Sequence, residues 1–116
     1  AGFPSPADDY AEGALDLNAH LVRQPAATFF ARARGDSMIG AGIHDGDLLV
    51  VDRSLTAEDG KVVVVSINGE LTVKRMRREK GVTWLVPENP DYPSIEFQEQ
   101  DEAHLWGVVT SVIHSL

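Results

Sequence analysis

Residues 61–77, KVVVVSINGELTVKRMR, decide the fold, because they hold two extended segments on either side of a tight turn. Residues 61–67 are rich in β-branched side chains, which favour strands. Asn68 and Gly69 are residue types that tolerate the positive φ required at both central positions of a type I′ turn. The stretch therefore predicts a β-hairpin with strands at residues 61–67 and 70–77.

Strand patterns continue on both sides of this hairpin. Residues 28–34 alternate between two faces, and the Asp45-Gly46-Asp47 turn precedes an apolar segment at residues 48–52. Further strand segments lie at residues 82–86, 95–98 and 105–114. Many short strands between turn residues predict a mostly β fold, a single compact antiparallel, barrel-like domain.

One or two short helices are expected beside these strands. Asn18 is a suitable N-cap for a helix that runs to Arg23 and is closed by Pro25. Residues 38–43 contain two glycines and predict a short helical turn.

The N-terminal residues have a different composition from the rest of the chain. Pro4 and Pro6 stand close together among glycines and acidic residues, and this spacing suits neither a regular helix nor a sheet. We therefore interpret residues 1–16 as an extended arm and residues 17–116 as one domain, which is long enough to bury a hydrophobic core.

Composition excludes several classes of protein. No segment approaches the roughly 18 to 20 apolar residues of a membrane-spanning helix, and no signal peptide is recognisable. The chain has no cysteine, which excludes disulfides and thiolate metal sites and makes the cytoplasm the simplest compartment. Its net charge of −8 repels phosphate backbones, so we expect no direct binding to DNA.

The histidines show no pattern that predicts a metal site. The sequence has four of them: His20, His44, His104 and His114. They share no spacing typical of metal ligands, so we expect structural roles for them, and we predict neither a metal ion nor a cofactor.

One basic cluster departs from the acidic trend. Its members are Lys74, Arg75, Arg77, Arg78 and Lys80. The cluster is interpreted either as the solvated end of a hairpin or as a local contact with an acidic partner surface.

Three features carry candidate chemistry, and each also has an ordinary structural explanation. Ser37 lies in the turn Gly35-Asp36-Ser37-Met38, which can present its hydroxyl beside backbone N–H groups, although serine is common in such turns. Lys74 shares a strand face with Thr72 and Met76, where desolvation would lower its pKa as a general base requires, although lysines on edge strands often only solvate the edge. Ala1-Gly2 is a small dipeptide that fits a narrow cleavage pocket, or a remnant of protein preparation.

Taken together, these features resemble the LexA/UmuD family of self-cleaving serine–lysine peptidases. The resemblance also covers four other segments: IHDGDLLVVD at residues 43–52, GELTVKR at 69–75, PENPDY at 87–92 and GVV at 107–109. It extends over nearly the whole chain and implies the fold of that peptidase domain.

The resemblance implies roles for individual residues. Ser37 would be the nucleophile and Lys74 its base, and the backbone N–H groups of Asp36 and Ser37 would hold the oxyanion. The scissile bond would join Ala1 to Gly2 in the arm. The Asp36 side chain is expected to be structural.

The arm indicates a branch within the family. GFPSPA at residues 2–7 and LDLN at residues 15–18 resemble the UmuD branch, in its processed form. The resemblance implies a role in SOS mutagenesis, with a RecA–single-stranded-DNA filament as the stimulus for cleavage. It also implies a homodimer, to which residues 105–114 would offer an apolar edge, and a Y-family polymerase subunit (UmuC-like) as partner in error-prone translesion synthesis.

Three alternatives remain open at the level of sequence. The chain could be the C-terminal self-cleavage and dimerisation domain of a LexA-type transcriptional repressor, which a helix-turn-helix upstream would establish. It could be a signal peptidase, but that class needs a membrane anchor, and the sequence offers no apolar segment for one. A non-catalytic phage or plasmid homologue is the third alternative.

Overall fold

One seven-stranded antiparallel sheet organises residues 13–99 and 103–116, which are the residues that the computed structural model describes. The strands follow the order β1-β2-β7-β3-β4-β5-β6 across the sheet. Their bounds are β1 (Thr28–Arg32), β2 (Leu48–Asp52), β3 (Val62–Ile67), β4 (Glu70–Glu79), β5 (Val82–Val86), β6 (Ile95–Glu96) and β7 (Ala103–Ile113). The expected mostly β, antiparallel fold is confirmed. Ala1, Gly2 and most of the proposed arm lie outside the described residues, so the domain boundary at residue 16 stays a prediction.

The central hairpin forms as its turn residues indicate. Asn68 and Gly69 have φ angles of 51° and 82°, and Ile67 of β3 pairs with Glu70 of β4. The return strand is two residues longer than predicted, because a second tight turn at Lys80 and Gly81, also with positive φ, allows β4 to pair with β5 as far as Glu79.

Helical structure is short, and its first cap differs from the prediction. Helix α1 (Leu17–Leu21) begins after Asp16, whose carboxylate accepts hydrogen bonds from the backbone N–H groups of Asn18 and Ala19. The N-cap is therefore Asp16 and not Asn18, because the helix begins at Leu17 and the Asp16 side chain accepts from the free N–H groups of its first turn. Among the described residues, two 3-10 turns accompany this helix, at Pro25–Ala27 and at Ile39–Ala41 within the predicted helical turn.

The valine-rich strand β3 contributes to two hydrophobic clusters. Val63 and Val65 pack with Met76, Leu85 and Val108. Val64, which points to the opposite face, packs in a cluster made of Ala33, Met38, Ile43, Leu49 and Val51. Burial on both faces explains why this strand is apolar at every position from 62 to 65 and does not alternate.

Strand β7 lies between β2 and β3, so it is not the outer strand of the sheet that the expectation of an apolar edge at residues 105–114 implied. Val108 pairs with Asp52 of β2 and with Val63 of β3, so both of its sides are occupied. Residues before Val108 pair with β3 and residues after it pair with β2. An apolar strand pattern cannot distinguish a central strand from an edge strand, because both carry similar side chains.

In the part of the chain that the structure describes, no helix is long and apolar enough to cross a membrane.

Candidate active site

Ser37 and Lys74 meet although they are 37 positions apart in the chain. The Lys74 Nζ atom lies 3.1 Å from the Ser37 Oγ atom, which is hydrogen-bond distance. Ser37 stands in the turn that follows β1, and Lys74 stands in the middle of β4. The pair that the sequence indicated is therefore in direct contact.

Lys74 is buried by its position in the sheet. It pairs across the sheet with Val63, which is fully buried, and its residue surface is only 9% exposed. Desolvation of the ammonium form lowers the pKa of Lys74 below its ordinary value. The predicted face is correct, since Thr72 and Lys74 are hydrogen-bonded and Met76 is buried.

The partners of the lysine suit a neutral amine. Besides Ser37 Oγ, the Nζ atom contacts Thr72 Oγ1 at 2.9 Å and the Val73 carbonyl oxygen at 3.0 Å. A neutral amine has two N–H donors and one lone pair. It can donate to the Thr72 and Val73 oxygens and keep its lone pair for the hydroxyl proton of Ser37. This is the arrangement in which a lysine can accept a proton from a serine.

The turn that holds Ser37 is anchored on both sides. Gly35 has a φ of 76°, which turns the chain out of β1, and its N–H donates to the Asp45 carboxylate at 2.8 Å. Met38 is 3% exposed and packs in the core, so the residue after the serine is fixed. Within the described part of the chain, the N–H groups of Asp36 and Ser37 donate in no backbone hydrogen bond, as an oxyanion site requires.

The loop at residues 87–92 clamps this turn from the other side. The Glu88 N–H donates to the Ser37 carbonyl at 2.9 Å, and Asn89 donates its side-chain N–H to the Asp36 carbonyl at 3.0 Å. The Tyr92 hydroxyl donates to the Asp36 carboxylate at 2.6 Å, and this hydrogen bond raises the pKa of Tyr92. Sequence reasoning assigned no function to these loop residues, and the PENPDY segment was their only signal.

An ion pair joins the strand of Lys74 to the same loop. Arg75 Nε contacts the Glu88 carboxylate, and Arg75 also donates to the Gly60 carbonyl at 2.6 Å. The predicted basic cluster is consequently divided. Lys74 and Arg75 are engaged inside the domain, and Arg77, Arg78 and Lys80 remain exposed near the turn between β4 and β5.

A groove of about 730 Å³ leads to the serine. One wall is formed by residues 29–35, in and after the outermost strand β1, and the other by residues 70–73 of β4. Ser37 and Met38 line the groove between these walls. Its size and its mixed polar and apolar walls suit an extended peptide segment.

Comparison with known proteins is consistent with this geometry. The family model described as Peptidase S24-like matches residues 1–110. The chain is 50% identical to the protein SamA of Salmonella typhimurium, over 98% of this chain and 79% of that protein. It is 49% identical to the protein MucA of Escherichia coli, over 100% of this chain and 77% of that protein.

A repressor is also similar, over a smaller share of its length. The LexA repressor of Acidithiobacillus ferrooxidans is 43% identical over 97% of this chain, but the chain covers only 56% of that protein. Self-cleaving serine peptidase activity is general in the matched family. The chain therefore belongs to the Peptidase S24-like family, among its UmuD-like members.

Proposed function

We propose that the chain is a self-cleaving serine endopeptidase that cuts the Ala1–Gly2 bond of its own arm with a Ser37–Lys74 dyad. The observation that carries this proposal is the 3.1 Å contact between Lys74 Nζ and Ser37 Oγ, at a lysine whose pKa is lowered by burial. The groove beside Ser37 provides room for an extended arm.

The proposed reaction proceeds through an acyl-enzyme. The neutral Lys74 amine takes the proton of Ser37 while the serine oxygen attacks the carbonyl carbon of Ala1. The backbone N–H groups of Asp36 and Ser37 stabilise the oxyanion, and the Lys74 ammonium then returns its proton to the departing amine of Gly2. Water, deprotonated by Lys74, hydrolyses the ester and frees the serine.

The role in the cell is proposed from the family. The processed chain is a homodimer that acts as accessory subunit of an error-prone Y-family translesion polymerase (UmuC-like) in SOS mutagenesis. The RecA–single-stranded-DNA filament stimulates cleavage, and the cytoplasm is the compartment. The match to SamA and MucA over nearly the whole of this chain supports this branch. The net charge of −8 agrees with leaving DNA contact to partners. Failure of the cleaved chain to co-purify with a co-expressed Y-family subunit would contradict the accessory role.

A LexA-type repressor domain is the second candidate. The specific observation in its favour is the 43% identity to a LexA repressor over nearly all of this chain. A helix-turn-helix segment upstream of residue 1 in the complete gene would establish it, and an arm without one would exclude it.

The peptidase proposal is tested with a version of the protein in which further arm residues precede Ala1. We expect cleavage to accelerate as pH rises and to level off once Lys74 is neutral, because only the neutral amine accepts the serine proton. The Ser37→Ala variant should be inactive at every pH. Lys74→Arg should also be inactive, because a guanidinium stays protonated throughout.

Lys61→Arg is the matched control, because Lys61 is exposed and lies outside the site. It should cleave like the parent protein. If Lys74→Arg cleaved with the parent pH profile, Lys74 would not be the base and the dyad would be wrong.

A further inference from the structure

Two histidines and an aspartate form a cluster that shares no residue with the proposed dyad. The Asp47 residue is 3% exposed, and its Oδ1 atom lies 2.6 Å from His114 Nδ1. Its Oδ2 atom lies 3.6 Å from His44 Nδ1. The two imidazole rings are 4.8 Å apart between centroids, and one ligand atom from each of the three residues lies within 4.8 Å of the others.

The sheet register brings these residues together. Leu48 of β2 pairs with Ile113 of β7, so the residues immediately outside this pair, Asp47 and His114, are neighbours at the end of the two strands. His44 lies in the turn before β2. In this turn the Asp47 N–H donates to the His44 carbonyl at 3.0 Å, and the His44 N–H donates to Asp47 Oδ2 at 2.8 Å. The backbone thus holds the carboxylate in place between two imidazoles.

The Asp47 carboxylate is buried and lies in hydrogen-bond contact with both histidines, through the backbone N–H of His44 and the ring of His114. Both imidazole side chains are 47% exposed, so an ion can reach them from solvent.

We propose that His44, Asp47 and His114 bind one divalent transition-metal ion of the Zn²⁺ type, with water in the remaining coordination positions. Two imidazole nitrogens and a carboxylate oxygen are ligands that suit Zn²⁺, Co²⁺ or Ni²⁺, whereas Ca²⁺ and Mg²⁺ prefer oxygen alone. Donor atoms around a tetrahedral Zn²⁺ lie about 3.3 Å apart. The exposed imidazoles reach that spacing by side-chain rotation, while the carboxylate stays fixed.

The proposal is tested by calorimetric titration of the untagged, chelator-treated 116-residue chain with ZnCl₂, and with CaCl₂ as the comparison cation. We expect one equivalent of Zn²⁺ to bind and Ca²⁺ to give no signal. The His44→Ala and His114→Ala variants should each bind Zn²⁺ at least about tenfold more weakly, since loss of a ligand is no milder than loss of a supporting partner. His20→Ala, which removes an exposed histidine of α1, is the matched control and should bind like the parent chain.

Three results would overturn the proposal. The first is absence of Zn²⁺ binding by the parent chain. The second is binding by His44→Ala and His114→Ala that is as tight as that of the parent chain. The third is a loss of binding in His20→Ala as large as that in the two cluster variants. Circular dichroism reports whether the variants are folded. If one is not, the imidazole resonances of the parent chain decide: Zn²⁺ must shift those of His44 and His114 and leave His20 unchanged, and any other pattern rejects the site.

Discussion

Lys74 is an amine in a place where its charged form is poorly solvated. Its backbone lies opposite the fully buried Val63, and the three acceptors around Nζ are all uncharged oxygens. Such a position destabilises the folded protein whenever the lysine is protonated, because no carboxylate among these contacts compensates the lost hydration. The property that suits a general base therefore reduces stability.

The pH dependence of unfolding should reveal this effect. The folded-state pKa of Lys74 lies below its ordinary value of 10.5, so between those two values the unfolded chain binds more protons and the free energy of unfolding rises with pH. The penalty is fully present below the folded-state pKa and disappears above 10.5. Lys74→Met removes it. We expect the stability of Lys74→Met relative to the parent chain to decline as pH approaches the upper value.

Urea unfolding over a series of pH values measures this difference. The exposed Lys61→Met variant serves as control, and its difference from the parent chain should not depend on pH. If the difference between Lys74→Met and the parent chain were equally independent of pH, burial would not shift the pKa of this lysine.

At the residue scale, the sequence predicted the proposed dyad of Ser37 and Lys74 better than the residues that hold it in place. Strand alternation placed Lys74 beside Thr72, and a resemblance connected it to Ser37. The clamp of Glu88, Asn89 and Tyr92 was not predicted. These are polar loop residues, and their partners at Asp36 and Ser37 lie about fifty positions away in the chain, a separation at which no local pattern reports contact.

Among the structural elements, the turn between β3 and β4 sets the register that places Lys74. Gly69 has a φ of 82° and open space around its Cα, so an added methyl group meets no atom and only strains the backbone. Gly69→Ala should lower the free energy of unfolding by about 1 to 2 kcal/mol, the usual cost of a left-handed conformation in an L-residue.

Denaturant unfolding with Gly13→Ala as matched control checks this value. Gly13 also has open space, and its φ lies outside the left-handed region, so its replacement should change stability little. Equal effects of the two substitutions would mean that the turn conformation is not the cause.

Elements with strong local signals were predicted well, and those that depend on tertiary neighbours were not. The Asn68-Gly69 turn was predicted because a type I′ turn requires positive φ at both central positions, which these two residue types tolerate. The second turn at Lys80-Gly81 was missed because lysine at positive φ is uncommon. The central position of β7 was missed because neighbours across a sheet are set by the whole topology.

At the scale of the whole molecule, apolar surface remains exposed on the sheet. Large exposed apolar side chains are found on β1, β4 and β7: Phe30, Leu71, Trp106 and Ile113. Association of two copies would remove such surface from water. We therefore expect a homodimer at micromolar concentration, measured by light scattering coupled to gel filtration. A mass of one chain throughout that range would contradict it.

The cluster of His44, Asp47 and His114 was not predicted, because it depends on the arrangement of the whole sheet. Histidine spacing in the sequence gave no signal, since His44 and His114 are 70 positions apart in the chain. Their proximity follows from the pairing of β2 with β7, which is a property of the complete sheet.

The position of β7 also has a consequence for synthesis on the ribosome. β1 pairs with β2, and β3 to β6 pair in sequence, but in the strand order β7 alone joins these two groups. The turn of Ser37 lies within the first group, between β1 and β2, and Lys74 lies in the second. Until the last strand has emerged from the exit tunnel, a nascent chain therefore lacks the strand that joins the two parts of the sheet by backbone pairing. We therefore expect the proposed peptidase to be complete only after translation has passed β7, so that a growing chain does not cut itself early.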